Sequence, residues 1–339
     1  MNIGKPHGWG FIGASDIARN AMIPAIRAQP HNFVKAVMSS TLDRAKQYAL
    51  ETDIPVAYDS VAALLADPDI DIVYISTTNE LHHPQTLAAA KAGKHVLCEK
   101  PLTMSIEAAN EMVKACRDAG VVMGTNHHLR NAAAHRTMRR MIAEGKIGQP
   151  LAARVFHAVY LPPRLQGWRL HKPEAGGGVI LDITVHDTDT LRFVLNDDVE
   201  AVTAFSSQQG LASGAVEDTV MGVMRFRSGL LAQFHDAFTI KHAGTGFQVH
   251  GTEASLFAAG VMQPNPPGKV FLQHEDKMEE VDTGEHEDVY VVGVRNFVHA
   301  VEGHGNPSAT GEDGLHSLAV ALAARESARM GASVRVRYQ

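Results

Sequence analysis

Along the first third of the chain, short apolar runs alternate with stretches whose apolar positions recur at helical spacing. That alternation predicts strand–helix units of a parallel sheet, because parallel strands need a crossover between them. Strands are expected at Gly8 to Ile12, Phe33 to Ser39, Ile54 to Val56, Ile70 to Ser76, His95 to Cys98 and Val121 to Thr125. Helices are expected at Ser15 to Arg27, Leu42 to Glu51, Val61 to Ala66, His83 to Ala92 and Ile106 to Ala119. Asp67-Pro68 stops the third helix, since proline disfavours a helical residue before it, and Gly93 offers the fourth a left-handed stop. The Ile70 to Ser76 run is almost continuously apolar and β-branched, as a strand covered on both faces should be.

After a helix predicted over Ala133 to Glu144, the pattern changes. Strands read at Pro150 to Leu161, Val199 to Ser206, Val216 to Phe226, Leu230 to Thr239, Phe247 to His250, Ser255 to Ala259 and Val270 to His274. Several lie too close together for crossover helices, so a mostly antiparallel sheet is expected. Further helices are predicted at Val179 to Leu195, Val289 to Glu302 and Gly314 to Met330. The fold class is therefore α/β: a doubly wound parallel sheet over residues 1–125, then an α+β domain with an open, mostly antiparallel sheet over 126–339.

Composition narrows the partners. Of 339 residues, 45% are hydrophobic and 20% charged, enough for real cores, and the net charge of −6 lacks the basic surface that nucleic acid or an anionic membrane would need. A local basic pocket for one phosphorylated ligand stays open. The two cysteines, Cys98 and Cys116, are too few for a disulfide framework or a zinc site. No apolar run reaches the ~18 residues of a membrane helix. The stretch Met1 to Gly13 enters a strand without the apolar core of a secretory signal, so a cytoplasmic protein with a small-molecule partner is expected. His82-His83 and His127-His128 lack metal-ligand spacing, so no metal is expected. The open sheet either pairs with another subunit or stays solvated.

Two places carry chemistry. Gly13-Ala14-Ser15-Asp16-Ile17-Ala18 sits where the first strand turns into the first helix and reads as G-x-S-x-x-A, a relaxed dinucleotide fingerprint. The helix start would offer N–H groups to a pyrophosphate, and Ser15 could add a hydroxyl donor. An NAD site expects an acid about 20 residues after the first glycine. Here stand Val37-Met38-Ser39-Ser40-Thr41, followed by Arg44, which suit the 2′-phosphate of NADP(H). Alternatively Arg44 is a solvated surface residue. Glu99-Lys100-Pro101 follows the fifth strand at its carboxyl end, where Lys100 could stabilise charge on a carbonyl oxygen, or could be an ordinary loop lysine.

The second place is Gly176-Gly177-Gly178 leading into Val179 to Asp187. In a helix starting near Gly178, Asp182 and His186 stand at i and i+4 on one face, clear of the apolar stripe Ile180, Ile183, Leu191 and Val194. The pair reads either as a proton donor oriented by a carboxylate or as a surface cap. The glycines read either as a turn or as room for a ligand. Trp168-Arg169, just upstream, either covers a ligand or packs.

These motifs, with Ser76-Thr77-Thr78-Asn79-x-x-His82, Gly93-Lys94-His95-Val96, Gly251-Thr252-Glu253 and Thr310 to Gly314, resemble the glucose–fructose oxidoreductase / inositol dehydrogenase family, also called Gfo/Idh/MocA. The stretches Thr125 to His135, Phe156 to Pro163, Gln166 to Arg169 and Gly176 to Asp187 are most similar to its sugar-ketone reductases. The resemblance implies a Rossmann-type first domain, a substrate-binding second domain and NADPH-dependent reduction of a sugar. It implies that Lys100 polarises the carbonyl and contacts the nicotinamide ribose, that His186 donates the proton, and that Asp182 positions substrate and His186. Gly13, Ser15, Asp16, Ile17 and Ala18 would lie along the pyrophosphate, Ser39, Ser40 and Arg44 at the ribose phosphate, and Thr77, Thr78, Asn79, His82 and Glu99 toward the nicotinamide. Asn126, Trp168, Arg169 and Tyr290 would close over the cofactor. Rival readings are a polyol or aldose dehydrogenase, an NAD-dependent glycosidase and a non-enzymatic NADP-sensing regulator. An intact Lys100, Asp182 and His186 set speaks against the last.

Overall fold

In the computed structural model, residues 6–339 are described, and the stretch 1–5, with the start of the N-terminal segment read above, lies outside them. Six strands form the first sheet: β1 (His7–Ile12), β2 (Asn32–Met38), β3 (Val56–Tyr58), β4 (Ile72–Ile75), β5 (His95–Cys98) and β6 (Met123–Thr125). Their order is β3-β2-β1-β4-β5-β6, and every pairing is parallel. This is the Rossmann-type doubly wound order, which reverses direction between β1 and β4 and opens a ligand crevice at the strands' carboxyl ends there. Trp9, Phe11, Ile12 and the whole of β4 are fully buried, because helices cover both faces. Thr41, Ser60 and Ser105 each accept a hydrogen bond from the backbone three residues on, capping the helices that begin at Leu42, Val61 and Ile106.

Several details differ from expectation. The third strand begins at Val56 rather than Ile54, because Asp53 takes a left-handed conformation (φ 53°) and the Ile54 N–H still closes the preceding helix on Ala49. The fourth helix starts at Asn79, a full turn before the expected His83, and carries Pro84 within it. The first helix contains a wider π turn over Ala18–Met22 before regular α-helix at Ile23–Arg27.

The second sheet has nine strands in the order β14-β13-β12-β11-β7-β10-β9-β8-β15. They are β7 (Pro150–Ala158), β8 (Val199–Ser207), β9 (Thr219–Phe226), β10 (Leu231–Ala237), β11 (Gly246–Gly251), β12 (Ser255–Ala259), β13 (Lys269–His274), β14 (Lys277–Val281) and β15 (Val334–Arg335). All neighbours are antiparallel except β7 and β10, which run parallel in the middle of the sheet. Alternation assigns the faces. Ala153, Val155 and His157 of β7 and Ala232, Phe234 and Asp236 of β10 are buried on one side, while Phe205, Met221, Val223 and Leu231 are exposed on the other.

The chain divides into two units. The first runs to His127 and takes back Tyr290–Leu315; the second holds His128–Val289 and His316–Gln339. The boundary read from the strand pattern, 125/126, falls close to the first crossing, and Tyr290–Leu315 returns to the first unit. Long-range packing decides that segment's place: Phe297 lies 5.9 Å from the ring of Trp9, Gln29 Nε2 donates to Val291 O at 3.1 Å, and Thr125 N donates to Ala309 O at 3.0 Å.

Candidate functional site

In the first unit, Gly13 ends β1 with φ 113°, and a Cβ there would lie 2.9 Å from the Ser76 carbonyl carbon. Glycine is needed because β1 and β4 end against each other at the point where the sheet reverses. Ser15 Oγ caps the helix by accepting from Ala18 N at 3.2 Å and lies 2.7 Å from Ser76 Oγ. Asp16 and Ile17 stand exposed and half-buried on the same turn. At the end of β2, Ser39 is buried and Ser40 exposed. Arg44 reaches back to the glycine turn, its Nη2 donating to Ala14 O at 3.4 Å. Hydroxyls, a helix start and a guanidinium thus meet at one rim with no acid at the end of β2, a donor set suited to a dinucleotide phosphate.

At the ends of β4 and β5 the side chains lock to one another. Thr77 Oγ1 donates to Gln85 Oε1 at 2.7 Å and Thr78 Oγ1 to Glu80 Oε1 at 2.7 Å, while Asn79 is buried. His82 is fully buried, with its ring nitrogens 3.0 Å from Pro101 O and 3.2 Å from Thr77 O. It is a strut between two loops rather than an open cofactor-lining residue, and burial pushes its pKa down. Glu99 Oε1 accepts from Tyr74 OH at 2.5 Å and from Asn126 Nδ2 at 2.6 Å, and its Oε2 accepts from Lys100 N at 3.3 Å. Burial, and then the neighbouring Glu99, push the Tyr74 phenol well above its ordinary pKa, so it stays a donor. This clamp fixes the residue before Lys100, whose bond to Pro101 is cis. Tyr290 is buried and acts on Tyr74 electrostatically. Tyr74 was missed in the sequence; its signal is a hydroxyl inside an otherwise aliphatic strand.

In the second unit the glycine run proves to be a packing device. A Cβ on Gly177 would lie within about 3 Å of three backbone oxygens, those of Lys172, Trp168 and Arg169. Gly178 has φ 113°, and a Cβ would come 2.3 Å from Glu217 Oε1. Glu217 belongs there because the same oxygen accepts from Ile180 N at 3.1 Å and caps the helix that follows. The space beside these two glycines is filled by the protein itself, not left for a ligand.

That helix opens with a π turn over Ile180–Thr184 and continues as α-helix over Val185–Leu195, so Asp182 sits on a wider turn than expected. Such turns recur at functional sites because they re-aim side chains. The expected stripe of Ile180, Ile183, Leu191 and Val194 is buried, but so is nearly every other position from Val185 to Arg192. His186 is 8% exposed, which rules out the surface-cap reading. Its ring meets the edge of His128 at 5.0 Å. Asp182 pairs with Arg169 at 3.3 Å, and Arg169 lies 4.7 Å over the Trp168 ring. The structure therefore joins Trp168, Arg169 and Asp182, which the sequence reading had kept apart. One turn on, Arg130 binds Asp189 through two bonds of 2.7 Å, with Ser317 on the same carboxylate.

Among the described residues no group of three or more His, Cys, Asp or Glu side chains could hold a metal, and no helix is long and apolar enough to cross a membrane. Both cysteines are buried, and burial raises their pKa values.

Residues 7–127 match the family described as "Oxidoreductase family, NAD-binding Rossmann fold", and residues 135–257 match the "GFO/IDH/MocA C-terminal domain". The chain is 58% identical to the 1,5-anhydro-D-fructose reductase of Ensifer adhaerens, across 97% of this chain and 98% of that protein. It is 30% identical to D-xylose 1-dehydrogenase (NADP(+)) 2 of Haloferax volcanii, across 96% and 98%. Its structure is similar to that of aldose-aldose oxidoreductase from Caulobacter crescentus complexed with glycerol, with a TM-score of 0.88, 25% identity and coverage of 98% and 100%.

Proposed function

As the chain belongs to the Gfo/Idh/MocA oxidoreductases, we propose that it reduces a sugar ketone with NADPH, converting 1,5-anhydro-D-fructose to 1,5-anhydro-D-mannitol. The observation that carries this reading is the near full-length likeness to a reductase of that substrate, combined with an intact Lys100, Asp182 and His186. Division of labour follows the two units: residues 1–125, with the returning Tyr290–Leu315, hold the cofactor, and the remainder of 126–339 holds the sugar.

NADPH, when bound, supplies the hydride that the ketone carbon receives. Ser15, Asp16, Ile17 and Ala18 offer the helix start to its pyrophosphate. Ser39, Ser40 and Arg44 take the ribose 2′-phosphate, since Arg44 already lies against the Gly13–Ala14 turn. Thr77, Thr78, Asn79 and Glu99 shape the nicotinamide side, and Asn126 helps by holding Glu99. Lys100 stabilises the negative charge growing on the ketone oxygen, a preorganised electrostatic role. His186 gives that oxygen its proton, shielded from bulk water by its burial. Asp182 holds substrate hydroxyls and keeps Arg169 in place beside Trp168; Trp168, Arg169 and Tyr290 are the residues assigned to close over the cofactor.

The test is loss of NADPH absorbance with 1,5-anhydro-D-fructose, run beside NADH and a panel of aldoses and polyols. Rapid turnover with NADPH and the ketose, and little with NADH, is expected. Oxidation of a polyol or aldose with no ketose turnover would overturn the substrate and direction. NADPH binding without turnover of any sugar would overturn the enzymatic reading altogether.

A further inference from the structure

The helix that carries His186 is tied to its sheet by two acids for which the proposed chemistry has no use. Asp187 and Asp236 are both 0% exposed. Asp236 stands on β10 opposite His157 of β7, at the parallel pairing in the middle of the sheet. His157 Nδ1 lies 2.7 Å from Asp187 Oδ1, and Thr184 Oγ1 donates to Asp236 Oδ2 at 2.5 Å. The remaining oxygens, Asp187 Oδ2 and Asp236 Oδ1, are buried with no hydrogen-bond partner among the described residues. Thr184, three residues before Asp187, and His157 bring the two carboxyl groups to the same place between helix and sheet, where each acts on the other. Two carboxylates in contact inside a protein cannot both ionise, and one retained proton turns an opposed pair into donor and acceptor.

We propose that Asp187 and Asp236 share one proton and act as a positioning pair, pinning the Thr184–Asp187 turn to β7 and β10 and so fixing the orientation of the His186 ring. The inference rests on His186 being the proton donor. Four groups on three elements close the network: Thr184 and Asp187 from the helix, His157 from β7 and Asp236 from β10. Beyond them stand His135, which burial holds down to about 4, and the Arg130–Asp189 pair. His128, on the far side, touches the His186 ring itself.

Burial is the main reason the Asp187 carboxyl is pushed up to about 7. Asp236 is raised well above the usual range, first by burial and then by Asp187 beside it. Folded values above unfolded ones mean stability that is full below about pH 4 and lost as pH rises through about 7 and beyond. Asp187 gives up its proton first, near about 7, which leaves one proton, on Asp236, shared by the pair. Once that proton leaves at higher pH, two buried anions repel and the turn carrying His186 loses its tie.

Asp236→Asn is the test, because an amide N–H can replace the proton and cannot leave. At about pH 6.5 its kcat should stay within about three-fold of wild type, while the alkaline fall in kcat moves up by about one pH unit or more. Its melting temperature should lose the part of the downward slope that Asp236 contributes, most plainly above about pH 7, where Asp187 has already ionised in both proteins. Asp236→Leu removes the hydrogen bond; it should lower kcat about ten-fold or more with little change in NADPH affinity, and Asn should restore what Leu loses. An unchanged alkaline limb and melting slope in Asp236→Asn would overturn shared protonation. Full turnover in Asp236→Leu would overturn the positioning role. If Leu prevents folding, the Asn profiles decide alone. His186→Ala, run beside these, separates the two ideas: near-full turnover there removes the proton-donor reading, yet the melting slopes still report the acid pair.

Discussion

Replacing Gly178 with alanine should damage the start of the His186 helix in two separable ways. The backbone there has φ 113°, a region where a side chain costs about 1–3 kcal/mol. The new Cβ would also fall 2.3 Å from Glu217 Oε1, so the carboxylate must leave and its bond to Ile180 N is lost. That cap is worth about 1 kcal/mol, giving a total of roughly 2–4 kcal/mol. Gly93→Ala is the internal reference: its φ is also positive, at 71°, but nothing lies within 4 Å of the added carbon. It should show the strain without the collision. Urea unfolding of both variants, and of Glu217→Ala alone and combined with Gly178→Ala, measures each part. The double variant should be less destabilised than the sum of its singles, because removing Glu217 removes the clash. Steady-state kinetics should show turnover falling in Gly178→Ala with NADPH affinity retained. If Gly178→Ala costs no more than Gly93→Ala, or if the Glu217 effect adds in full, the argument that Gly178 exists to admit Glu217 is wrong.

Other outcomes follow from the same geometry. Lys100→Ala and His186→Ala should each lower kcat by about 10²-fold or more with modest changes in KM, and a His186→Ala profile matching wild type across pH would refute its role. Ser39→Asp should reduce the NADPH/NADH preference about ten-fold or more by repelling the 2′-phosphate; an unchanged ratio of kcat/KM values would mean the ribose pocket lies elsewhere. Asp189→Ala strands the buried Arg130 guanidinium and should cost about 3–5 kcal/mol in urea unfolding, and a loss below about 1 kcal/mol would show the pair to be solvated.

Strand periodicity was enough to find five of the six parallel strands close to their observed positions and the antiparallel character of the second sheet. What it could not show depends on partners far along the chain. The parallel junction of β7 and β10 is invisible in either strand, since each alternates as an antiparallel strand would. Lys100 and the Asp182/His186 turn were legible because their spacing after a strand end and a glycine run is local. Tyr74, Glu217 and Asp236 were not, because each acts on a residue at least 25 positions away. The glycine run reads in two ways from the sequence, and the carbonyls of Trp168, Arg169 and Lys172 beside Gly177 and the Glu217 carboxylate beside Gly178 decide between them.

The return of Tyr290–Leu315 to the first unit sets an order on how the chain can mature. Trp9 is left without its aromatic neighbour until Phe297, far along the chain, has been synthesised. Domains commonly fold as units during synthesis. Here the first unit stays unfinished while the entire β7–β14 segment emerges, so the growing chain carries an incomplete core until Tyr290–Leu315 follows. A fragment cut after Thr125 would lack the Ala309 carbonyl that accepts the hydrogen bond donated by the last parallel strand's Thr125 N–H.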